Sequence, residues 1–180
     1  PDIVFLNGLY HLYYSVSSWG SQESAIGLAT SPTLDPADPG FSWTDRGIVV
    51  QTKAGDGYNA IDPSVLHDSN GTLWLSAGSY WSGIKLIQLS PSTGMRISPA
   101  SPIHSLARHS SIEASYVHRR GAWYYLFVNW GSCCQGTTSG YNIRVGRSTS
   151  MAGPYVDRSG TNMTDGGGTL LLDGFDLAAG

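Results

Sequence analysis

Glu113 is the lone acid of residues 111–136, SIEASYVHRRGAWYYLFVNWGSCCQG, where small and apolar side chains surround it and two adjacent cysteines follow an aromatic run. Asp2 and Asp62 stand in the same relation to other strand-like runs, at or just before their first residues. Carboxylates that converge on one cavity repel, which drives their pKa values apart and separates a proton donor from an ionised partner. Hydrolysis of a glycosidic bond needs that pairing: a protonated acid for the leaving oxygen and a carboxylate for water or nucleophile. Each acid also has a plainer role open to it. Asp62 precedes Pro63, a context that favours turn initiation. Glu113 could end a strand in solvent, and Asp2 could be a turn acid or a hydrogen-bond partner lining a channel.

Acids so far apart in sequence meet only if a repeat brings them together. Residues 3–17 (IVFLNGLYHLYYSVS), 64–79 (SVLHDSNGTLWLSAGS) and 115–130 (SYVHRRGAWYYLFVNW) each read as two strands around a turn. Asn-Gly between alternating apolar runs signals a hairpin, because both turn positions take positive φ. A third strand follows each hairpin, at 25–31, 84–90 and 141–148. A fourth piece is visible twice, at 43–50 and at 155–158 leading to 169–172. No segment sustains helical periodicity. Four strands per unit, repeating at roughly 50–60 residues, read as propeller blades at 1–60, 61–111 and 112–180. The innermost strand of each blade would line a common channel, with Asp2, Asp62 and Glu113 at one end of it. Propellers take about four to eight blades, so the expectation is an all-β fragment of a larger ring, opening inside a strand at Pro1. A complete β-sandwich is the alternative.

Composition fits short strands and tight turns. The chain has 180 residues, with 23 glycines, 11% aromatic and only 13% charged residues, well below the usual quarter. A net charge of −3 and the lack of any basic run beyond Arg119–Arg120 argue against nucleic acid. No apolar stretch approaches the length of a membrane span. The sequons at Asn70 and Asn162 fit a secreted protein without requiring one.

Residues 58–64 (YNAIDPS), 78–84 (GSYWSGI), 112–114 (IEA) and 133–136 (CCQG) occur in an order that resembles the endo-1,5-α-L-arabinanases of glycoside hydrolase family 43. Pro1-Asp2-Ile3 looks like the end of that family's Trp-Ala-Pro-Asp segment. The resemblance runs across essentially the whole chain. It implies a five-bladed β-propeller, of which this chain covers about three blades, and hydrolysis of α-1,5-linked arabinan in cell-wall pectin with inversion. It makes Glu113 the general acid and Asp62 the acid that tunes it and orients substrate. The family's base would lie upstream of Pro1, and inversion sets acid and base about 6.5–9.5 Å apart to admit a water. The family's metal-associated histidine would lie beyond Gly180, and His11, His67, His104, His109 and His118 are poor stand-ins. No cofactor is thus expected in this fragment, with a calcium ion at the channel centre of the full domain. A secreted monomer acting on arabinan or arabino-oligosaccharides is expected, the fragment itself being inactive. An exo-acting arabinofuranosidase or xylosidase of the same family is the rival, and a non-catalytic sugar-binding propeller is the rival from another class.

A furanose offers an apolar face and hydroxyl edges, so its cleft needs aromatic platforms beside polar groups. Trp19, Tyr80, Trp81 and Trp130 are the candidate platforms, with Asn59, Ser79 and Asn129 as hydrogen-bonding neighbours. Tyr13, Trp74, Tyr124 and Phe127 read as core. Cys133 and Cys134 have two readings, free thiols in a buried turn or a vicinal disulfide. Their Cα atoms would lie about 3.8 Å apart, below the usual disulfide range, so such a bridge makes a rigid turn. The resemblance favours the disulfide, near the substrate. Neither zinc nor redox chemistry is supported, since no further cysteine exists to complete a ligand set.

Overall fold

The computed structural model describes residues 1–173; the last seven residues of the expected third unit, 174–180, lie outside the described residues. Twelve strands make three antiparallel sheets of four, each sheet in simple up-and-down order. The first holds β1 (Asp2–Leu6), β2 (Leu9–Ser17), β3 (Ser24–Ser31) and β4 (Thr44–Thr52). The second holds β5 (Ser64–His67), β6 (Leu73–Ala77), β7 (Ile84–Leu89) and β8 (Ile103–Ala107). The third holds β9 (Glu113–Arg120), β10 (Trp123–Trp130), β11 (Asn142–Ser148) and β12 (Thr169–Leu172).

Turn chemistry explains the hairpins, with one departure from expectation. Asn7 and Gly8, at φ 53° and 81°, join β1 to β2 as a two-residue turn, and Gly121 at φ 61° opens the turn between β9 and β10. Asn70-Gly71 is not such a turn. Only Gly71 of the pair has positive φ, and the connection widens to residues 68–72. The Asp68 carboxylate organises it, accepting from the backbone N–H of Asn70 (2.8 Å) and Thr72 (2.9 Å) and from Trp74 Nε1 (3.0 Å). An Asp closing the loop on its own backbone competes with the two-residue alternative.

Two apolar cores separate the three sheets. Leu6, Tyr13, Ile26, Leu28, Leu73, Leu75, Ile87 and Leu89 fill the space between the first and second. Ile84, Leu86, Ile112, Val117, Tyr124, Leu126 and Val128 fill that between the second and third. β7 contributes to both, which is why it reads as a nearly unbroken apolar run rather than an alternation. The innermost strands are in contact across the sheets, β1 with β5 and β5 with β9. Asp2, Asp62 and Glu113 stand at or just before the first residues of those strands.

Candidate active site

Glu113 is the first residue of β9, paired with Asn129 where a bulge interrupts the β9–β10 register. Both of its carboxyl oxygens accept hydrogen bonds from hydroxyls, Oε1 from Tyr141 at 2.9 Å and Oε2 from Ser79 at 3.1 Å. Asp62, just ahead of β5, accepts at Oδ2 from the N–H of Ala114, the residue after Glu113, at 3.2 Å. Its own N–H donates to Ser15 Oγ of β2 at 3.1 Å. The two acids are therefore linked through one peptide unit and anchored to all three sheets. Burial first, and the charge of Glu113 second, push the Asp62 carboxyl above the usual aspartate range, while the Ala114 N–H pulls the other way.

Glu113 opens onto a cavity of about 620 Å³, within the size range of small-ligand sites. Its walls carry Trp19, Asn59, Ser79, Tyr80, Trp81, Cys133 and Cys134, one sheet's loops facing another's. Trp19 is 98% exposed at its rim. Asn59 is buried, its Oδ1 accepting from Ser24 Oγ at 2.6 Å. Cys133 and Cys134 are joined as a vicinal disulfide, so the free-thiol alternative falls. A smaller cavity of about 230 Å³ holds Asp2, Asp62, Ser64, Ala114 and Tyr116. In it Asp2 Oδ2 accepts from Val65 N of β5 at 2.7 Å, tying the first sheet to the second. Of the six non-glycine residues with positive φ among the described residues, five lie at this site: Asp62, Tyr80, Trp81, Ala114 and Cys134. Such conformations persist where surrounding structure over-determines them.

Two sequence candidates sit elsewhere. Trp130 does not line the cavity. Its ring stacks on the imidazole of His109 (4.0 Å between centroids, 8° between planes), with the Arg144 guanidinium 4.8 Å from its centroid. Asn129 also stays off the cavity wall, where it pairs with Glu113 across the β9–β10 ladder. Tyr141 itself was not a sequence candidate. It ends a polar, glycine-rich loop, and nothing in its spacing shows that the loop returns to Glu113.

A family model described as glycosyl hydrolases family 43 matches residues 1–169. The chain belongs to glycosyl hydrolase family 43. Among family 43 relatives, it is 44% identical to the extracellular endo-alpha-(1->5)-L-arabinanase 1 of Bacillus subtilis, over 98% of this chain and 54% of that protein. It is 42% identical to the extracellular exo-alpha-(1->5)-L-arabinofuranosidase ArbA of Cellvibrio japonicus, over 97% and 54%. The solved Cellvibrio cellulosa alpha-L-arabinanase complexed with arabinohexaose superposes with a TM-score of 0.90 at 41% identity, covering 96% of this chain and 59% of that one. This family 43 chain therefore spans about half the length of the curated relatives it matches.

A metal at the channel centre can be tested against the side chains present. Among the described residues no group of three or more His, Cys, Asp or Glu comes together in a way that could hold an ion. Calcium takes about six to eight oxygen ligands, and the Asp2 carboxylate is already bonded to the N–H groups of Ile3 and Val65. Residues 1–173 do not by themselves fit a calcium shell.

Proposed function

We propose that the whole protein is a secreted, inverting endo-hydrolase of α-1,5-linked arabinan. The observation that carries this reading is Glu113, held by two hydroxyl donors on the wall of an aromatic cleft and coupled to Asp62 through Ala114. Family membership supports the reaction class. The cleft supports a sugar substrate: Trp19, Tyr80, Trp81 and the disulfide offer apolar faces, and Asn59 and Ser79 offer polar edges. The relatives named extracellular support secretion. The further length of those relatives is read as the rest of a five-bladed ring that also supplies the base.

In this reading Glu113 gives its proton to the glycosidic oxygen as the C1–O bond breaks. A water activated by the base attacks C1 from the opposite face, which inverts the anomeric centre. Asp62 holds the backbone at Ala114, keeps a second carboxyl beside the acid and lines the smaller cavity with Asp2. In the complete protein, Glu113→Gln should lower hydrolysis of linear arabinan by about 10²–10⁴-fold; unchanged turnover would remove the acid assignment.

The exo reading is supported by two names, that of the Cellvibrio japonicus relative and that of the solved exo-1,5-alpha-L-arabinanase from a bovine ruminal metagenomic library. Against it stand the endo-named Bacillus relative and the exposed Trp19 rim, which leaves room for a polymer to continue past the site. Chromatography of early products decides between them. Mixed oligosaccharides support endo action, and arabinose as the sole early product overturns it.

A further inference from the structure

The two oxygens of a carboxylic acid are equivalent until something tells them apart, and a general acid works only if its O–H is aimed at the leaving oxygen. At Glu113 the two hydrogen bonds lie on different sides of the carboxyl. The Tyr141 hydroxyl donates to Oε1 at 2.9 Å and the Ser79 hydroxyl to Oε2 at 3.1 Å. Ser79 and Glu113 line the cavity, and Tyr141 does not, so Oε2 is the oxygen on the substrate side. An oxygen that receives a hydroxyl proton is the acceptor, carbonyl-type oxygen of the protonated acid. A phenol that holds Oε1 in this role leaves Oε2 to carry the proton. The Ser79 hydroxyl, which both donates and accepts, releases Oε2 to the glycosidic oxygen and returns its hydrogen bond to the carboxylate after the transfer.

We propose that Tyr141 is a positioning residue for the proton donor, anchoring Glu113 Oε1 so that Oε2 delivers the proton to the glycosidic oxygen. This rests on the acid role proposed above for Glu113. The proton leaves Oε2 as the C1–O bond breaks, the leaving oxygen becomes a hydroxyl, and Glu113 becomes a carboxylate. The Tyr141 bond then becomes charge-assisted and stronger, so it favours the transition state over the ground state. Burial, followed by the bond to Glu113, pushes the Tyr141 phenol above the usual tyrosine range, which keeps it a donor throughout. Among the described residues the titratable groups that face this pair are Asp62 and each other.

The test uses the complete enzyme. Tyr141→Phe should lower kcat on linear arabinan by about 10- to 100-fold, the worth of a hydrogen bond to a charged group, with KM little changed. On a 4-nitrophenyl arabino-oligosaccharide, whose phenol departs without protonation, the loss should shrink to about threefold or less. The basic limb of the kcat/KM profile should move to higher pH, because a donor that favours the carboxylate is gone. Replacing Tyr141 with 3-fluorotyrosine, a stronger donor that keeps the hydroxyl and the shape, should move that limb to lower pH; it also carries the test should the Phe variant fold poorly. Equal losses on both substrates with an unmoved limb make Tyr141 merely structural and overturn the proposal. Glu113→Gln separates the two levels. If it keeps arabinan hydrolysis, the acid role falls; if it is inactive while Tyr141→Phe matches wild type, only the Tyr141 inference falls.

Discussion

Asp62 sits in a conformation and an environment that a surface aspartate would not adopt. Its φ of 57° is unusual for a non-glycine residue, and its carboxyl is raised by burial and by the charge of Glu113. A carboxyl whose folded pKa exceeds its unfolded value near about 3.9 is destabilising once ionised. The penalty is absent below the unfolded pKa, grows as pH rises through the folded pKa and is complete above it. Asp62→Asn removes the charge and keeps an acceptor for the Ala114 N–H. The variant should therefore melt higher than wild type at pH 7, by roughly 2–4 °C per kcal/mol relieved, with the gain fading towards pH 4, while arabinan hydrolysis falls. Calorimetry of both proteins across that pH range checks it. A variant that melts lower at pH 7, or a gain that does not depend on pH, would contradict the electrostatic account. Stability given up at a working carboxylate is the usual trade at such sites.

The loop between β6 and β7 shows how an element fixes several functional groups at once. Residues 78–83 carry Ser79, Tyr80 and Trp81, and they are pinned by Gly78 N–H to the Ile61 carbonyl at 2.9 Å and Tyr80 N–H to the Ile112 carbonyl at 2.7 Å. The same two bonds reach the segments that hold Asp62 and Glu113. Gly83, at φ 80°, closes the loop where a Cβ would run into the Ala107 carbonyl. Gly83→Ala should thus destabilise the fold by about 1–3 kcal/mol and raise KM as the Ser79–Trp81 segment shifts; a urea midpoint and KM both at the wild-type values would refute it. Elements of this kind were only partly legible in the sequence. Asn7-Gly8 was readable because its signal is local, whereas the Asn70-Gly71 turn was overridden by Asp68 two residues earlier. β8 is not legible as a strand because His104 and Ser105 blur the alternation of a five-residue segment. Glu113 and Asp62 were visible from their place in the repeat. Tyr141 and the stacking of Trp130 on His109 depend on where loops land after packing, which periodicity does not encode.

At the scale of the molecule, the three sheets form a run with two finished interfaces and two outer faces. Both cores lie between neighbouring sheets. On the first sheet Ile3, Phe5, Val16 and Ile48 remain 42%, 58%, 61% and 54% exposed, and on the third Tyr116, Leu170 and Leu171 remain 54%, 44% and 57% exposed. A further cavity, of about 610 Å³, lies on the third sheet around Trp123, Tyr125, Val145 and Arg147. Large apolar side chains left exposed on both end sheets are candidates for packing against further structure. The matched relatives have nearly twice this length, and further sheets on those faces would complete a ring. Residues 1–180 produced alone should then bind a hydrophobic dye, associate with rising concentration and fail to hydrolyse arabinan. A chain extended to the length of the relatives should stay monomeric in sedimentation, exclude the dye and turn over. The contrast matters more than either result, because it separates a missing base from a missing interface. A short chain that is monomeric and dye-free yet inactive would mean that its outer faces need no partner sheets and that only the base is lacking. A short chain that hydrolyses arabinan would place the whole acid–base apparatus within these three sheets and send the search for the base to Asp2 and Asp62.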